Sequence, residues 1–305
     1  MGHRSGFVGI IGRPNVGKST LLNYFLGDKI AIVSSKPQTT RQRILGVLTR
    51  PDAQLMFLDS PGLHRPEHAL GRVMVEVAKA VLDEADVLVA VIDGRVGVTT
   101  EDERVFDQVK RAIQQTPRDG RTKTALLAIN KVDIASKPRL LPLLEKCAST
   151  HIFADCVPVS AKTGDQMEIL LQQILAHLPE GPQWHEPAQQ TDQPLAQRVA
   201  ELIREQVLLA VHREVPHAAA VLVDQLEETP RLMRMSATIL VEREGQKAIL
   251  IGRQGLMMKR IGQAARHELE RLLGRKVHLE LWVKVAERWR DDERILRQLN
   301  SQANR

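Results

Sequence analysis

The run Gly12-Arg13-Pro14-Asn15-Val16-Gly17-Lys18-Ser19-Thr20 fits the pattern G-x-x-x-x-G-K-[ST]. A loop of this composition curls so that several backbone N–H groups converge on phosphate oxygens. Lys18 then reaches the β- and γ-phosphates, and the Ser19 hydroxyl ligates Mg2+. Asp59-Ser60-Pro61-Gly62 supplies a carboxylate that holds the same Mg2+ through water, with the Gly62 N–H placed to sense a γ-phosphate. The base is chosen elsewhere. In Asn130-Lys131-Val132-Asp133 the Asp133 carboxylate accepts from both N1 and the exocyclic amine of guanine, a donor pair that adenine lacks. Asn130 supports the base and its loop, and the Lys131 stem covers the ring face. Ser160-Ala161-Lys162 adds a backbone N–H for the guanine O6.

Between the two metal-side motifs lies Ser34–Arg43, polar and suited to a switch loop that orders only when a γ-phosphate is present. Thr40 is the expected switch threonine on Mg2+, with Thr39 as the alternative. The residues expected to act in catalysis are Lys18, Thr40, Gly62 and Asn15. Leu63 stands after Gly62, and an apolar side chain cannot orient an attacking water, so unassisted hydrolysis is expected to be slow.

These motifs need a scaffold. From residue 6 to 178 short apolar runs alternate with helical periodicity, which implies an α/β domain with a mostly parallel sheet and helices on both faces. The expected strands are 7–11, 43–48, 54–58, 87–92, 125–129 and 154–159. The Thr49-Arg50-Pro51-Asp52 turn makes the second and third an antiparallel hairpin. Residues 179–194, rich in Pro and Gln, read as an extended linker. Residues 195–299 then give the order helix–strand–strand–helix–helix–strand with a short terminal helix.

At 305 residues, 43% apolar and 26% charged, the chain suits two globular domains. No run approaches the roughly 18 apolar residues that span a bilayer, and the first six residues lack the apolar core of a secretory signal. A cytoplasmic protein is expected, with Cys147 and Cys156 as buried thiols in a reducing compartment. The net charge of +6 is uneven: residues 243–276 hold nine Lys or Arg against three Asp or Glu. That concentration points to an anionic partner, nucleic acid first. Within it, Ile251-Gly252-Arg253-Gln254-Gly255 forms a Gly-x-x-Gly turn between two helical stretches. Such a turn lets backbone N–H groups clamp about four nucleotides, with Arg253, Lys259 and Arg260 adding charge and bases read beside the next helix. Aromatics make up only 3% of the chain, which argues against an aromatic stacking platform. Trp282 is therefore read as core; Trp289 either caps the groove or packs the terminal helix. Leu195, Val199, Leu202, Ile203, Gln206 and Leu209 are expected on the core face of the helix after the linker.

The loop Gly12–Thr20, Gln38-Thr39-Thr40-Arg41, Asp59–Gly62, Asn130–Asp133 and Ser160–Lys162 together resemble the TrmE–Era–EngA branch of P-loop GTPases. Val277–Val285 and Trp289-Arg290-Asp291-Asp292 look like the C-terminal part of its bacterial Era family. The resemblance covers residues 6–299. It implies a GTPase domain followed by an α+β type II KH domain that binds the 3′ end of 16S ribosomal RNA during 30S subunit assembly. It also implies K+ coordinated by Asn15, as in GTPases with a similar loop, and peripheral association with the inner face of the cell membrane. Ser60 and Arg253 depart from the family's more common Thr and Lys. A monomer is the default. The alternative within the class is a tRNA-modification-type or other ribosome-associated GTPase. A P-loop kinase is disfavoured by Asn130–Asp133, and a non-enzymatic RNA scaffold by the presence of Lys18, Ser19 and Asp59.

Overall fold

The computed structural model describes residues 2–36, 39–63, 66, 68–115, 122–211 and 218–301. Pro37 and Gln38 of the expected switch loop lie outside the described residues. The chain divides into two compact units.

In the first unit a six-stranded sheet has the order β2-β3-β1-β4-β5-β6. Its strands are β1 (Arg4–Ile11), β2 (Ile44–Thr49), β3 (Ala53–Asp59), β4 (Val87–Asp93), β5 (Thr124–Asn130) and β6 (Asp155–Pro158). Every pairing is parallel except that of β2 with β3, the expected hairpin. Residues of β3 and β4 are buried throughout, which is what strands covered on both faces require. One face carries α1 (Lys18–Leu26) and α5 (Met167–His177), whose Leu21, Leu22, Leu170 and Ile174 join Val8, Ile10 and Phe57 in one core. The other carries α2 (Ala69–Glu84), α3 (Thr100–Gln114) and α4 (Lys137–Ala148), packed through Val81, Val105, Val109 and Cys147 on Met56, Leu58 and Ile92. Burial pushes the Cys147 thiol up to about 11, with the neighbouring Cys156 adding to it, so this cysteine stays an inert thiol.

Residues 179–192 are extended, as their composition suggests, yet they are a docked strap belonging to the first unit. The Pro179 carbonyl accepts from Ser5 N (3.0 Å), Gln190 O from Val47 N (2.8 Å), and the Thr191 hydroxyl donates to Leu45 O (2.7 Å). The buried Gln54 amide is the central clasp: its Nε2 donates to His185 O (2.8 Å), and its Oε1 accepts from Trp184 N (2.7 Å) and His185 N (2.9 Å).

The second unit gathers residues 193–305 and also two stretches from within the expected first domain, 34–39 and 66–72. Its elements are α6 (Leu195–Ala210), β7 (Ala220–Glu228), β8 (Met233–Val241), α7 (Glu244–Ile251), α8 (Leu256–Leu273), β9 (Val277–Val285) and α9 (Glu293–Ser301). The sheet runs β7-β8-β9, antiparallel then parallel. Val199, Ile203, Ile261, Ala265 and Leu269 of α6 and α8 pack on Met235, Ala237 and Ile239 of β8. The α6 stripe holds at Leu195, Val199, Leu202, Ile203 and Gln206, but Leu209 is exposed and Val207 joins the core instead. Within this unit the Arg204 guanidinium of α6 pairs with Glu201 and donates to the Thr39 carbonyl. Asp291 accepts from the Ala69 N–H at 2.8 Å. Among the described residues no helix is long and apolar enough to cross a membrane.

Candidate nucleotide and nucleic-acid sites

β1 leaves the middle of the sheet and runs directly into the loop that precedes α1. Asn15 (φ 64) and Gly17 (φ 103) both turn into the left-handed region to fold it back. At Gly17 a Cβ would stand 2.2 Å from the Asn130 Nδ2, so the positive φ and the neighbour both demand glycine. Lys18 is buried, and its Nζ donates to the carbonyls of Gly12 and Arg13, 3.0 Å each. Burial lowers this ammonium to about 8, with Asp59 acting against the shift and Arg13 reinforcing it. Arg13 is held by Asp102 (Nε to Oδ2, 3.2 Å), a residue of the Thr99–Asp102 capping box that starts α3. Val16 is fully buried beneath the loop, while Asn15 is exposed and Thr20 half-buried on α1.

The three expected metal ligands converge. Ser19 Oγ donates to Asp59 Oδ2 (2.7 Å) and lies 3.0 Å from Thr40 Oγ1, which is 3.4 Å from the same carboxylate oxygen. Asp59 is fully buried, and its other oxygen, Oδ1, meets no hydrogen-bond partner among the described residues. Burial pushes this carboxyl up, opposed by the Lys18 charge and by hydrogen bonds from Ser19 and Thr40. Two hydroxyls beside a carboxylate with an unpartnered buried oxygen form an all-oxygen donor set, and that fits Mg2+. Thr39 points elsewhere, its hydroxyl donating to Lys36 O at 2.7 Å. Ser60 donates to Ile10 O (2.9 Å), pinning the turn that carries the buried Pro61 and Gly62. Leu63 is buried in the core beneath it.

The base side is tied together by Asn130. Its Nδ2 donates to Val16 O (2.8 Å), and its Oδ1 accepts from Lys131 N (2.8 Å) and Ala161 N (3.0 Å). One side chain thus joins the phosphate loop to both base-side motifs. Ala161 commits its N–H to this network, a use that the sequence does not reveal. Ser160 Oγ donates to Asp133 Oδ1 (2.8 Å), which orients the exposed Asp133, and Lys162 is exposed beyond it. Lys131 Nζ bridges Asn15 O (2.6 Å) and Asp93 Oδ2 (2.8 Å). Partial burial works to raise Asp93, but hydrogen bonds from Arg95 and Lys131 hold its carboxyl well below the usual range. Asp93 and Arg95 were missed in the sequence because no motif marks them; the end of the apolar strand β4 was the available signal.

In the second unit Gly252 (φ 70), Gln254 (φ 52) and Gly255 (φ 76) turn the chain between α7 and α8. A Cβ on Gly252 would lie 2.6 Å from Met257 Cβ. Arg253, Gln254, Lys259 and Arg260 are exposed, as is Ile251. Beside the turn runs an open groove of about 660 Å3 between α8 and β9, lined by Ile251, Gly255, Lys259, Arg266, Leu281 and Trp282 among others. Trp282 is 51% exposed on this groove, which corrects the expectation that it lies in the core. Along β9 the exposed positions alternate through His278, Glu280, Trp282 and Lys284, so Trp282 falls on the side of the strand that the core does not take up. Trp289 is fully buried, its Nε1 donating to Ala218 O (2.7 Å).

Two family models match the chain, one described as 50S ribosome-binding GTPase over residues 7–131 and one as KH domain over residues 214–290. The chain is 45% identical to the GTPase Era of Heliobacterium modesticaldum, with 96% of each chain covered. It belongs to the Era GTPase family. A crystal structure of Era in complex with MgGDPNP and nucleotides 1506-1542 of 16S ribosomal RNA matches with a TM-score of 0.90 and 39% identity, covering 97% of this chain and 98% of that one. An Aquifex aeolicus Era variant bound to GDP and AlF4- matches with a TM-score of 0.89, 39% identity and the same coverage. As a member of the Era family the chain is a GTPase, with a P-loop GTPase domain followed by a KH domain.

Proposed function

We propose that this chain is a Mg2+-dependent GTP switch that binds the 3′ region of 16S ribosomal RNA and assists assembly of the 30S subunit. The observation that carries the RNA half of this reading is the match, over nearly the whole chain, to an Era captured with MgGDPNP and 16S nucleotides.

In the nucleotide site Gly12–Thr20 cradle the phosphates with backbone N–H groups, and the Lys18 ammonium leaves its two loop carbonyls for the phosphate oxygens. Ser19 and Thr40 would hold Mg2+ by their hydroxyls and Asp59 through water, and the bound cation would supply charge neutralisation at the phosphates. Asp133 accepts from guanine N1 and its amine. Ala161 donates its N–H to Asn130 in the free site, and the Ser160–Lys162 turn offers guanine O6 a backbone N–H. With Leu63 buried, no side chain at that position orients water, and the Gly62 N–H is placed to sense the γ-phosphate. Asn15 sits in the left-handed turn at the loop's exposed rim, where a K+ can be shared with the nucleotide. In the KH domain Gly252–Gly255 clamps the RNA backbone, and Arg253, Lys259 and Arg260 neutralise phosphates.

Phosphate release from GTP, measured with and without a single-stranded 16S 3′-end oligonucleotide, tests the proposal. Stimulation by this RNA and not by a scrambled one is expected; a chain indifferent to RNA would remain a GTPase but not this switch. Turnover should be several-fold faster in KCl than in matched NaCl, and equal rates would remove K+ from the mechanism. A monomer remains the proposed state.

A further inference from the structure

Gly262 lies well inside α8 (Leu256–Leu273). A glycine there costs the helix backbone entropy that alanine would spare it. The fold gives no return for that cost. Its φ is not in the left-handed region, and among the described residues a Cβ built on it meets only Leu281 Cδ1 at 3.7 Å, an ordinary van der Waals contact. Gly17 and Gly252, by contrast, would each drive a Cβ into an atom closer than 3.0 Å.

What distinguishes Gly262 is its place on the groove between α8 and β9. Lys259 stands nearly one turn before it and Arg266 one turn after, with Leu281 and Trp282 on the facing strand. The two cations suit phosphodiester oxygens, and the apolar strand side chains suit the flat face of a base. We infer that Gly262 is a specificity-determining residue whose missing side chain opens a seat for one unstacked base of single-stranded RNA, walled by Trp282. The inference rests on the groove being the RNA site proposed above.

Gly262→Ala in the full chain is the test, read by thermal unfolding and by affinity for RNA of 16S nucleotides 1506–1542. The Tm should rise by a few degrees, while RNA affinity falls on the order of tenfold. Gly245→Ala is the control: that residue is an exposed helical glycine off the groove, with nothing within 4 Å of a built Cβ. It should raise Tm and leave RNA binding unchanged. A Gly262→Ala chain that binds RNA like its parent, or that melts lower, overturns the inference. If the parent itself fails to bind the RNA, the reading of the groove falls with it; if the parent binds and Arg253→Asp/Gln254→Asp does not, only the role of Gly262 is at stake in the Gly262→Ala result.

Discussion

Around Asn130, segments more than a hundred residues apart are tied by hydrogen bonds to a single buried amide. Along the groove of α8 and β9 the lining side chains make no such ties to one another among the described residues, and half-exposed Trp282 forms one wall. The nucleotide site is therefore set by mutual constraint, while the groove is set by what its positions leave out. A constrained site couples function to stability, because each functional group also satisfies another group's hydrogen bond. An open groove separates the two, and its residues can be changed with little effect on folding.

The largest effect expected from this contrast is at Lys18. Lys18→Ala should lower GTP turnover by about a thousandfold or more, since one fixed charge at transferring phosphate is worth several kcal/mol. Single-turnover phosphate release would check it, and a loss below tenfold would mean that Lys18 keeps to its loop carbonyls. Next is the double change Arg253→Asp/Gln254→Asp, which should weaken RNA binding at least a hundredfold while GTP affinity and Tm stay at parental values. An accompanying loss of stability would break the contrast from the groove side.

Asn130→Ala tests the other side. It leaves the buried Val16 carbonyl and Ala161 N–H unpaired, at about 1–3 kcal/mol each, so the unfolding free energy in urea should fall by about 2–4 kcal/mol. GDP affinity should fall with it. The smallest effect is a pH dependence. With Lys18 lowered to about 8 in the free protein, phosphate binding must hold it protonated, so binding takes up a proton above that pH. GDP affinity should be highest below pH 8 and fall as pH rises, by about tenfold between pH 7 and 9. Calorimetric titrations in buffers of different ionisation enthalpy would detect that proton uptake; an affinity flat over this range would place the Lys18 pKa well above 9.

Much of the first unit was legible because its chemistry is local. Gly12–Thr20 fits a contiguous pattern, and alternating periodicities marked all six strands. Thr40 was preferred to Thr39 without a decisive signal, because adjacent hydroxyls differ only in the direction their backbone gives them; in the fold Thr40 faces Ser19 and Thr39 faces Lys36. The same limit hid Ala161, whose N–H looks as available as its neighbour's until Asn130 is folded beside it. Trp282 was misread because an aromatic in an apolar strand normally packs inward, whereas it shares its side of β9 with the polar His278, Glu280 and Lys284. Composition flagged residues 179–194 as an extended linker but could not show that Gln54, isolated in β3, carries the amide that clasps part of it.

That clasp has a consequence in time. A chain made from its N-terminus at about 5–20 residues per second has all six strands of the first sheet before the strap exists. Until then β2, the outer strand, shows the bare polar edge on which wrong strands pair. Thr191 bridging to Gly46 closes part of that edge. The nascent protein is thus guarded against mispairing only when residues 179–192 have emerged, so the segment that reads as a spacer is the last piece of the first unit to be made.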